Sequence, residues 1–247
     1  MLIPLILICL FLFLKSGIFT VKQVDVQTGR LPCVDENQIK NSADLAGQNI
    51  FLVDSAKVEN NLKKKFLCIK SAPVSKIFPD KVKIQTFNRE PAAILVVLKE
   101  KEASQSSSLD IATPSAREVL DSYKIDVEGV VFSKDTGGLN IPKTYIYDSK
   151  ISLGKKLEDN LVSNYLVVIE KVKTFGIEVT ESFLIDSLFI INSGFPARRI
   201  VFRLDEKLDI QLASLQLIMD KAKIDSGELE FIDLRFDKPV VRFAPKK

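Results

Sequence analysis

The residues whose types and spacing could do chemistry lie near the C-terminus, in the stretch "FIDLRF". Asp233 and Arg235 stand two positions apart there and alternate with the apolar Ile232 and Leu234. A carboxylate beside a guanidinium can serve in catalysis when a nucleophile or a base stands with it. The chain contains no histidine, which excludes Ser-His-Asp and Cys-His systems and most zinc and non-haem iron sites. We therefore predict that Asp233 and Arg235 form a solvated or locally paired surface pair, worth about 0–1 kcal/mol if exposed.

Two further catalytic signatures are incomplete. Ser71 has Val74 at the position where a Ser-x-x-Lys motif needs lysine. The only Gly-Gly pair, Gly137-Gly138 in "SKDTGGLN", lacks the spacing of a phosphate-binding loop, so it predicts a turn. The sequence thus predicts no enzyme, no metal, no cofactor and no small-molecule substrate. The alternative that stays open is a secreted or anchored extracytoplasmic enzyme or binding protein with a signal peptide, which would have to use carboxylates or a Ser-Lys pair.

Composition narrows the class of protein. The chain has 247 residues, of which 46% are hydrophobic and 27% are charged, and these fractions are typical of globular domains. A net charge of +3 is too small to predict a nucleic-acid surface. The run Lys63-Lys64-Lys65 lies in a helical pattern and is interpreted as a solvated helix face.

The N-terminal stretch "MLIPLILICLFLFLKSGIFTV" is strongly apolar. Leu2 to Leu14 contain no charged residue, but this run is shorter than the about 20 residues that a spanning helix needs. Continuing to Val21 reaches that length, so we predict a membrane anchor over residues 1–21. A signal peptide is the alternative, although no basic n-region and no clear cleavage site are present. We also expect a cytoplasmic tail to be missing from the start, and the bulk of the chain to be exported.

Three cysteines are present. Cys9 lies in the apolar run, while Cys33 and Cys68 lie in the exported part. Cys33 and Cys68 can pair if their Cα atoms come within about 7 Å. An odd count with irregular spacing is weak evidence for a disulfide framework, so both the pair and the free thiols stay open.

The first exported segment, residues 22–90, has the pattern of a small α+β unit. "FTVKQVDVQTG" alternates as a strand, and two short helices follow, one capped by Asp35 with Gly47 as its predicted stop and one capped by Asp54 or Ser55. Two strands, "SAPVSKI" and "KVKIQT", flank a turn at Phe78 to Asp80. The predicted order is therefore β-α-α-β-β, with the helices on one face of a small sheet.

The second segment, residues 91–247, is richer in strands. After the strand "PAAILVVL" we predict a flexible Ser-rich loop over residues 99–117, then a hairpin in "SYKIDVEGVVF", an irregular stretch in "LNIPKTYIYDSKISLGKKL", and a helix that ends at Gly176. "SFLIDSLFII", "RRIVFRL" and "KLDIQLA" are predicted to be extended, and the last helix is predicted over Ser214 to Lys223. The segment is predicted to form an α+β domain on a mostly antiparallel sheet.

Several motifs and their order resemble the FtsQ/DivIB family of bacterial cell-division proteins. The motifs are a first strand in "FTVKQVDVQTG", a connector in "LAGQNIFLVD", "FPDKVKIQTFNREPAA", "IDVEGVVF", "ISLGKKL" and a terminal "IDLRF". The resemblance covers nearly the full length. It implies an N-terminal transmembrane helix, a polypeptide-transport-associated (POTRA) domain and then a larger β domain.

The resemblance also implies a function and a site. Such proteins are non-enzymatic, single-pass scaffolds of the cytoplasmic membrane at the division septum, and they bind FtsB- or DivIC-like, FtsL-like and other division proteins. The partner segment is expected to add to the last strand of the β domain. On this sequence that site corresponds to Phe236, Val240, Val241, Arg242 and Phe243.

Two interpretations of the terminal stretch compete. Period-2 burial predicts Ile232 and Leu234 in the core, whereas Phe236 is expected either in the core or at the partner. Val240, Val241 and Phe243 are predicted to offer exposed apolar surface on an edge strand.

Arg89 and Pro91 lie at the junction of the two predicted domains. Pro91 is interpreted as the end of a strand, where the chain turns between the domains. Arg89 is assigned an inter-domain role, with contact to another division protein as the alternative. A third class of protein, a POTRA-bearing assembly or secretion factor, is expected to carry several POTRA repeats, and no internal repeat links the two halves.

Overall fold

The computed structural model describes residues 17–29, 32–99, 118–147, 151–157, 160–194, 197–225 and 229–244. The chain divides into two compact units, Met1–Arg89 and Glu90–Lys247. The predicted anchor up to residue 16 and residues 100–117 of the predicted Ser-rich loop lie outside the described residues. Among the described residues, no helix is both long and apolar enough to cross a membrane.

The first unit contains the predicted β-α-α-β-β order, with two additional short strands that form a pair of their own. A 3-10 helix at Gly17–Phe19 leads into a three-stranded sheet of order β1-β4-β3, in which β1 is parallel to β4. The elements are β1 (Gln23–Gln27), α1 (Glu36–Ala43), α2 (Ser55–Lys65), β2 (Ile69–Ser71), β3 (Val74–Ile77), β4 (Lys81–Gln85) and β5 (Phe87–Asn88). Strands β2 and β5 form a separate pair. Apolar side chains from both helices and the sheet fill one core.

Side-chain capping explains where both helices of the first unit begin. The Asp35 carboxylate accepts a hydrogen bond from the Asn37 amide at 2.9 Å, and Asp54 accepts one from the Lys57 amide at 3.1 Å. Both satisfy amides that lack a partner within the helix. Helix α1 ends at Ala43, and its C-cap residue Asp44 is in the left-handed conformation. The predicted stop at Gly47 was therefore three residues too late.

Residues 17–21 belong to the folded unit, which corrects their assignment to the end of the anchor. The Ile50 amide donates to the Phe19 carbonyl at 2.8 Å, and the Val21 amide donates to the Gln48 carbonyl at 2.9 Å. Val21 is buried. Residues that follow α1 thus form hydrogen bonds with the backbone groups of this segment. These groups therefore need no hydrogen bonds from a continuing membrane helix.

A disulfide joins Cys33 to Cys68, with Cα atoms 6.3 Å apart. It links the segment before α1 to the residue before β2, across 35 positions of sequence. The two open alternatives for these cysteines are thus resolved in favour of the pair, because the fold brings their backbones within bonding range.

The described part of the second unit forms a nine-stranded mixed sheet of order β14-β13-β12-β11-β10-β9-β6-β7-β8. Its strands are β6 (Ala93–Leu98), β7 (Val119–Ile125), β8 (Val131–Lys134), β9 (Lys143–Ile146), β10 (Val179–Ile185), β11 (Leu188–Ser193), β12 (Ala197–Arg203), β13 (Leu229–Asp233) and β14 (Val240–Phe243), and its helices are α3 (Asn160–Thr174) and α4 (Leu208–Asp225). The pairs β6–β9, β9–β10 and β12–β13 are parallel and the other pairs are antiparallel. Both helices contribute to the main core of this unit.

Two predictions about this unit were wrong. The stretch predicted as irregular contains β9, which pairs with strands on both sides in the middle of the sheet. The stretch "KLDIQLA", predicted as a strand, is the start of α4. Leu212, Leu215 and Met219 recur there at helical spacing and are buried, so the core selects the longer 3.6-residue period over the short alternation.

The turn of the motif "IDVEGVVF" is held by its aspartate. The buried Asp126 carboxylate accepts hydrogen bonds from the Glu128 amide at 3.0 Å and the Val130 amide at 2.9 Å. Gly129 has a φ of +79°, and a Cβ there would lie 3.1 Å from the Leu157 carbonyl oxygen. The spacing of Asp126 and Gly129 is therefore a requirement of the turn between β7 and β8, as the sequence predicted.

Helix α3 carries the predicted apolar stripe, and a group of buried hydroxyls lies beneath it. The Thr144 hydroxyl donates to the Tyr165 hydroxyl at 3.0 Å and lies 2.8 Å from the Ser182 hydroxyl. All three residues are fully buried. These hydroxyls satisfy one another inside the core and are closed to a substrate, so Ser182 serves packing rather than nucleophilic chemistry.

Burial raises the pKa of Tyr165 above its ordinary value of 10.0, although the hydrogen bond from Thr144 opposes that shift. Because the folded chain keeps this proton more tightly than the unfolded chain, its stability is retained below pH 10.0 and lost as the pH rises further. We expect the native chain to lose up to about 1.4 kcal/mol more per pH unit than Tyr165→Phe in that range. Urea titrations followed by circular dichroism would measure this, and equal slopes for the two proteins would contradict it.

Candidate partner-binding edge

Strand β14 lies at one end of the nine-stranded sheet. Among the described strands it pairs with β13 alone, with Val240 opposite Asp233, Val241 opposite Ile232 and Phe243 opposite Leu229. A strand in this position presents a second row of backbone donors and acceptors that another strand can pair with. The five residues predicted as the partner site are thus brought to a sheet edge and to the turn that precedes it.

The side chains of β14 divide between the two faces of the sheet. Val241 is half-buried and packs against the main core, which corrects its prediction as exposed apolar surface. Arg242 stacks over the Phe231 ring at 5.5 Å and pairs with Glu230 at 3.2 Å. Val240 and Phe243 are 52% and 56% exposed, as predicted for an edge that offers apolar surface.

The alternation of side chains between the two faces of the sheet is interrupted at the start of β13. The register with β14 shifts between Leu229 and Phe231, as a β-bulge does, so these two residues contact different apolar clusters. After the shift, Ile232 and Leu234 are fully buried in the main core, which confirms their prediction. Glu230 and Phe231 were missed as neighbours of the site, because only the cross-strand register brings them to Arg242.

Asp233 and Arg235 form a local pair, which is one of the two predicted alternatives, but the pair is largely buried and does not lie on the surface as predicted. The Arg235 guanidinium donates to both carboxylate oxygens of Asp233, and its shortest contact is 2.6 Å from Nη2 to Oδ2. The Asp233 side chain is 5% exposed and that of Arg235 is 22% exposed. The hydrogen bonds and charge of Asp233 raise the pKa of Arg235. Asp233 is buried because it stands between Val201 and Val240 on the neighbouring strands.

Phe236 lies outside the core. Strand β13 ends at Asp233, so the parity that would have carried Phe236 inward no longer applies, and its side chain is 56% exposed. Arg235 lies over its ring at 5.3 Å. Lys207, the residue directly before α4, forms an ion pair with Asp237 of the turn at 2.8 Å, and it holds the pKa of Asp237 below its usual range. Phe236 is therefore displayed on a turn that its neighbours hold in place.

The junction residues have local backbone roles. The Arg89 amide donates to the Cys68 carbonyl at 2.8 Å, directly after β5. Pro91 is half-buried and stands two residues before β6. The inter-domain role of Arg89 and Pro91 stays a prediction.

Comparison with known proteins identifies the first unit. Residues 19–86 match the model of the family described as POTRA domain, FtsQ-type, a range that runs from just before β1 to just after β4. No curated protein matches the chain. The chain therefore carries a POTRA domain of the FtsQ type, which supports the predicted resemblance to the FtsQ/DivIB family.

Proposed function

We propose that the chain is a non-enzymatic scaffold of the bacterial cell-division machinery. The observation that carries this proposal is the FtsQ-type POTRA domain over residues 19–86. The proposed organisation is a membrane anchor over the N-terminal apolar run, for which the 16 residues before Gly17 remain, then a POTRA-like domain up to residue 90 and a β domain over residues 91–247. The protein is single-pass in the cytoplasmic membrane, with its bulk outside the cytoplasm at the division septum.

The disulfide supports the proposed location. Structural disulfides persist in oxidising compartments outside the cytoplasm and are rare inside it. The Cys33–Cys68 bond closes a loop through α1 and α2, so it is a structural bond of the first unit. The apolar run from Leu2 to Leu14 also supports export of the chain and its anchoring in the membrane.

The proposed partner is an FtsB- or DivIC-like protein, joined by an FtsL-like protein. A segment of the partner pairs with the free side of β14 and extends the sheet by one strand. Val240 and Phe243 give this segment apolar contacts on both faces of the sheet, and Phe236 extends the contact onto the preceding turn. The main-chain bonds provide affinity, while the alternate side chains of the added strand provide specificity.

The double variant Val240→Glu/Phe243→Glu tests the proposed edge. It places two charges where the partner would bury apolar side chains, so we expect capture by an immobilised FtsB- or DivIC-like protein to weaken by at least about tenfold, or 1.4 kcal/mol. Both residues are exposed, but Val240 lies opposite the buried Asp233, so circular dichroism must first establish that the β domain of the variant is folded.

The matched control is Val127→Glu, which adds a charge at an exposed valine in the turn between β7 and β8 of the same domain. We expect it to bind as the native chain does. Unchanged capture by the double variant would contradict the edge assignment, and equal weakening by Val127→Glu would show a general effect of charge.

A further inference from the structure

The POTRA unit exposes a compact apolar surface of its own, far along the sequence from the partner edge. We call Ile18, Phe51, Leu52 and Phe78 the aromatic patch; all four are exposed, Leu52 by 81%. Single exposed apolar residues are common, but a contiguous group of large ones marks a surface that contacts something other than water.

The two rings of the patch pack in one row with the ring of Phe19. The Phe51 ring lies between the rings of Phe19 and Phe78, with 5.0 Å between centroids on each side. Phe19 packs against the core of the POTRA unit, so the core holds the row of rings in place. Asn49 holds the turn that displays Phe51 and Leu52, because its side-chain oxygen accepts from the Phe51 amide at 3.0 Å and its carbonyl accepts from the Leu52 amide at 2.9 Å.

The patch lies at the point where the chain enters the unit. Ile18 is four residues after Leu14, the last residue of the uncharged apolar run. Even a fully extended chain spans at most about 14 Å over four residues. If that run is held in a bilayer, the aromatic patch is held at the surface of the same bilayer.

Two lysines lie beside the patch; Lys76 supplies a cation, whereas the charge of Lys22 is compensated by an aspartate. Lys76 Nζ donates to the Phe51 carbonyl at 3.3 Å, and Lys22 pairs with Asp80 at 3.4 Å beside the turn that carries Phe78. Phenylalanine and leucine flanked by lysine form the combination that enters the interfacial region while its cations meet anionic headgroups.

We propose that the aromatic patch docks on the outer surface of the bilayer that holds the N-terminal apolar run, with anionic phospholipid as its ligand. This inference rests on the proposed membrane anchoring. Docking inserts Phe51, Leu52 and Phe78 at the headgroup boundary and holds the POTRA unit against the membrane in one orientation, rather than leaving it free to swing on its anchor.

The chain contains no tryptophan, so Leu52→Trp introduces a single fluorescent reporter into the patch. The full chain is reconstituted in vesicles of phosphatidylethanolamine and phosphatidylglycerol, with and without brominated acyl chains. Flotation of the vesicles first establishes that the chain is membrane-bound. We expect a blue-shifted emission from Leu52→Trp and the loss of most of it in brominated vesicles, because bromine quenches only on contact.

The matched control is Phe87→Trp, at another exposed phenylalanine of the same unit. Phe87 follows the end of β4 that is opposite to Phe78, and five strand residues separate the two ends by roughly 13 Å or more. We expect this reporter to emit as in water and to resist bromine. A chain that floats while Leu52→Trp behaves like Phe87→Trp would overturn the docking and leave the anchoring intact. A chain that does not float would overturn both.

Discussion

Replacing Arg235 by alanine is expected to lower the free energy of unfolding of the β domain by about 3–5 kcal/mol. The change leaves the Asp233 carboxylate buried between apolar strand neighbours without its bidentate partner. A buried charge that loses its counter-ion is among the costliest single defects in a protein. Asp233→Ala should cost less, because Arg235 is partly exposed and can turn towards water.

The double variant Asp233→Ala/Arg235→Ala separates this mechanism from a general loss of packing. It removes the stranded charge, so it should be more stable than Arg235→Ala alone. A matched control is Arg203→Ala, whose ion pair with Asp205 is well exposed and should contribute only about 0–1 kcal/mol. All four tyrosines lie in the β domain, so tyrosine fluorescence in urea reports on this domain. Equal losses for Arg235→Ala and Arg203→Ala would refute a buried pair.

The same pair matters for the proposed partner site. Arg235 begins the turn that carries Phe236 and leads to β14, and its backbone amide also donates to Asp233 at 3.1 Å. Loss of the pair should therefore loosen the turn as well as the core. A variant that remains folded but binds the partner weakly would show that the pair positions the edge.

Replacing Cys33 by serine is the second large expected effect. Without the disulfide, the unfolded chain regains the freedom of a loop of 35 residues. The chain-entropy relation for such a loop predicts a loss of about 4 kcal/mol in the free energy of unfolding of the POTRA unit. Because this unit contains no tyrosine or tryptophan, the measurement uses Phe87→Trp as a fluorescent background.

A reducing agent provides the control for this prediction. It should destabilise the chain that retains both cysteines to the level of Cys33→Ser, and it should leave Cys33→Ser itself unchanged. The β domain, followed by tyrosine fluorescence, should not respond to either treatment. A reducing agent without effect on the POTRA unit would show that the bond does not contribute to stability.

Much of the POTRA unit could be predicted because its signals are local. Asp35 and Asp54 cap helices through amides two or three residues away, and a cap depends on little beyond those residues. One turn of the β domain has a signal of the same local kind, since Asp126 and the positive φ of Gly129 are part of one turn. Patterns of this kind name the element and its start, and the family resemblance then supplies the order of the parts.

The β domain was harder because its decisive signals are not local. Strand β9 carries Thr144, whose polar side chain weakens an apolar pattern, and only the buried hydroxyls of Tyr165 and Ser182 make it a good central residue. The start of α4 alternates over a few residues, and its helical period becomes clear only when Leu215 and Met219 are included. A short window holds too few residues to separate the two periods.

The sequence by itself indicated which family this protein resembles. The absence of histidine excluded the catalytic systems that need an imidazole. The order of the motifs indicated the family, and the alternation of Ile232 and Leu234 predicted two core positions. Only the tertiary structure determined the surroundings of Asp233, Arg235 and Phe236, which lie between and after these two core positions. A bulge at the start of β13, burial between Val201 and Val240, and the end of the strand at Asp233 made the pair with Arg235 internal and left Phe236 outside. Burial is a property of neighbours that lie far apart in the sequence, and no local pattern records which neighbours those are.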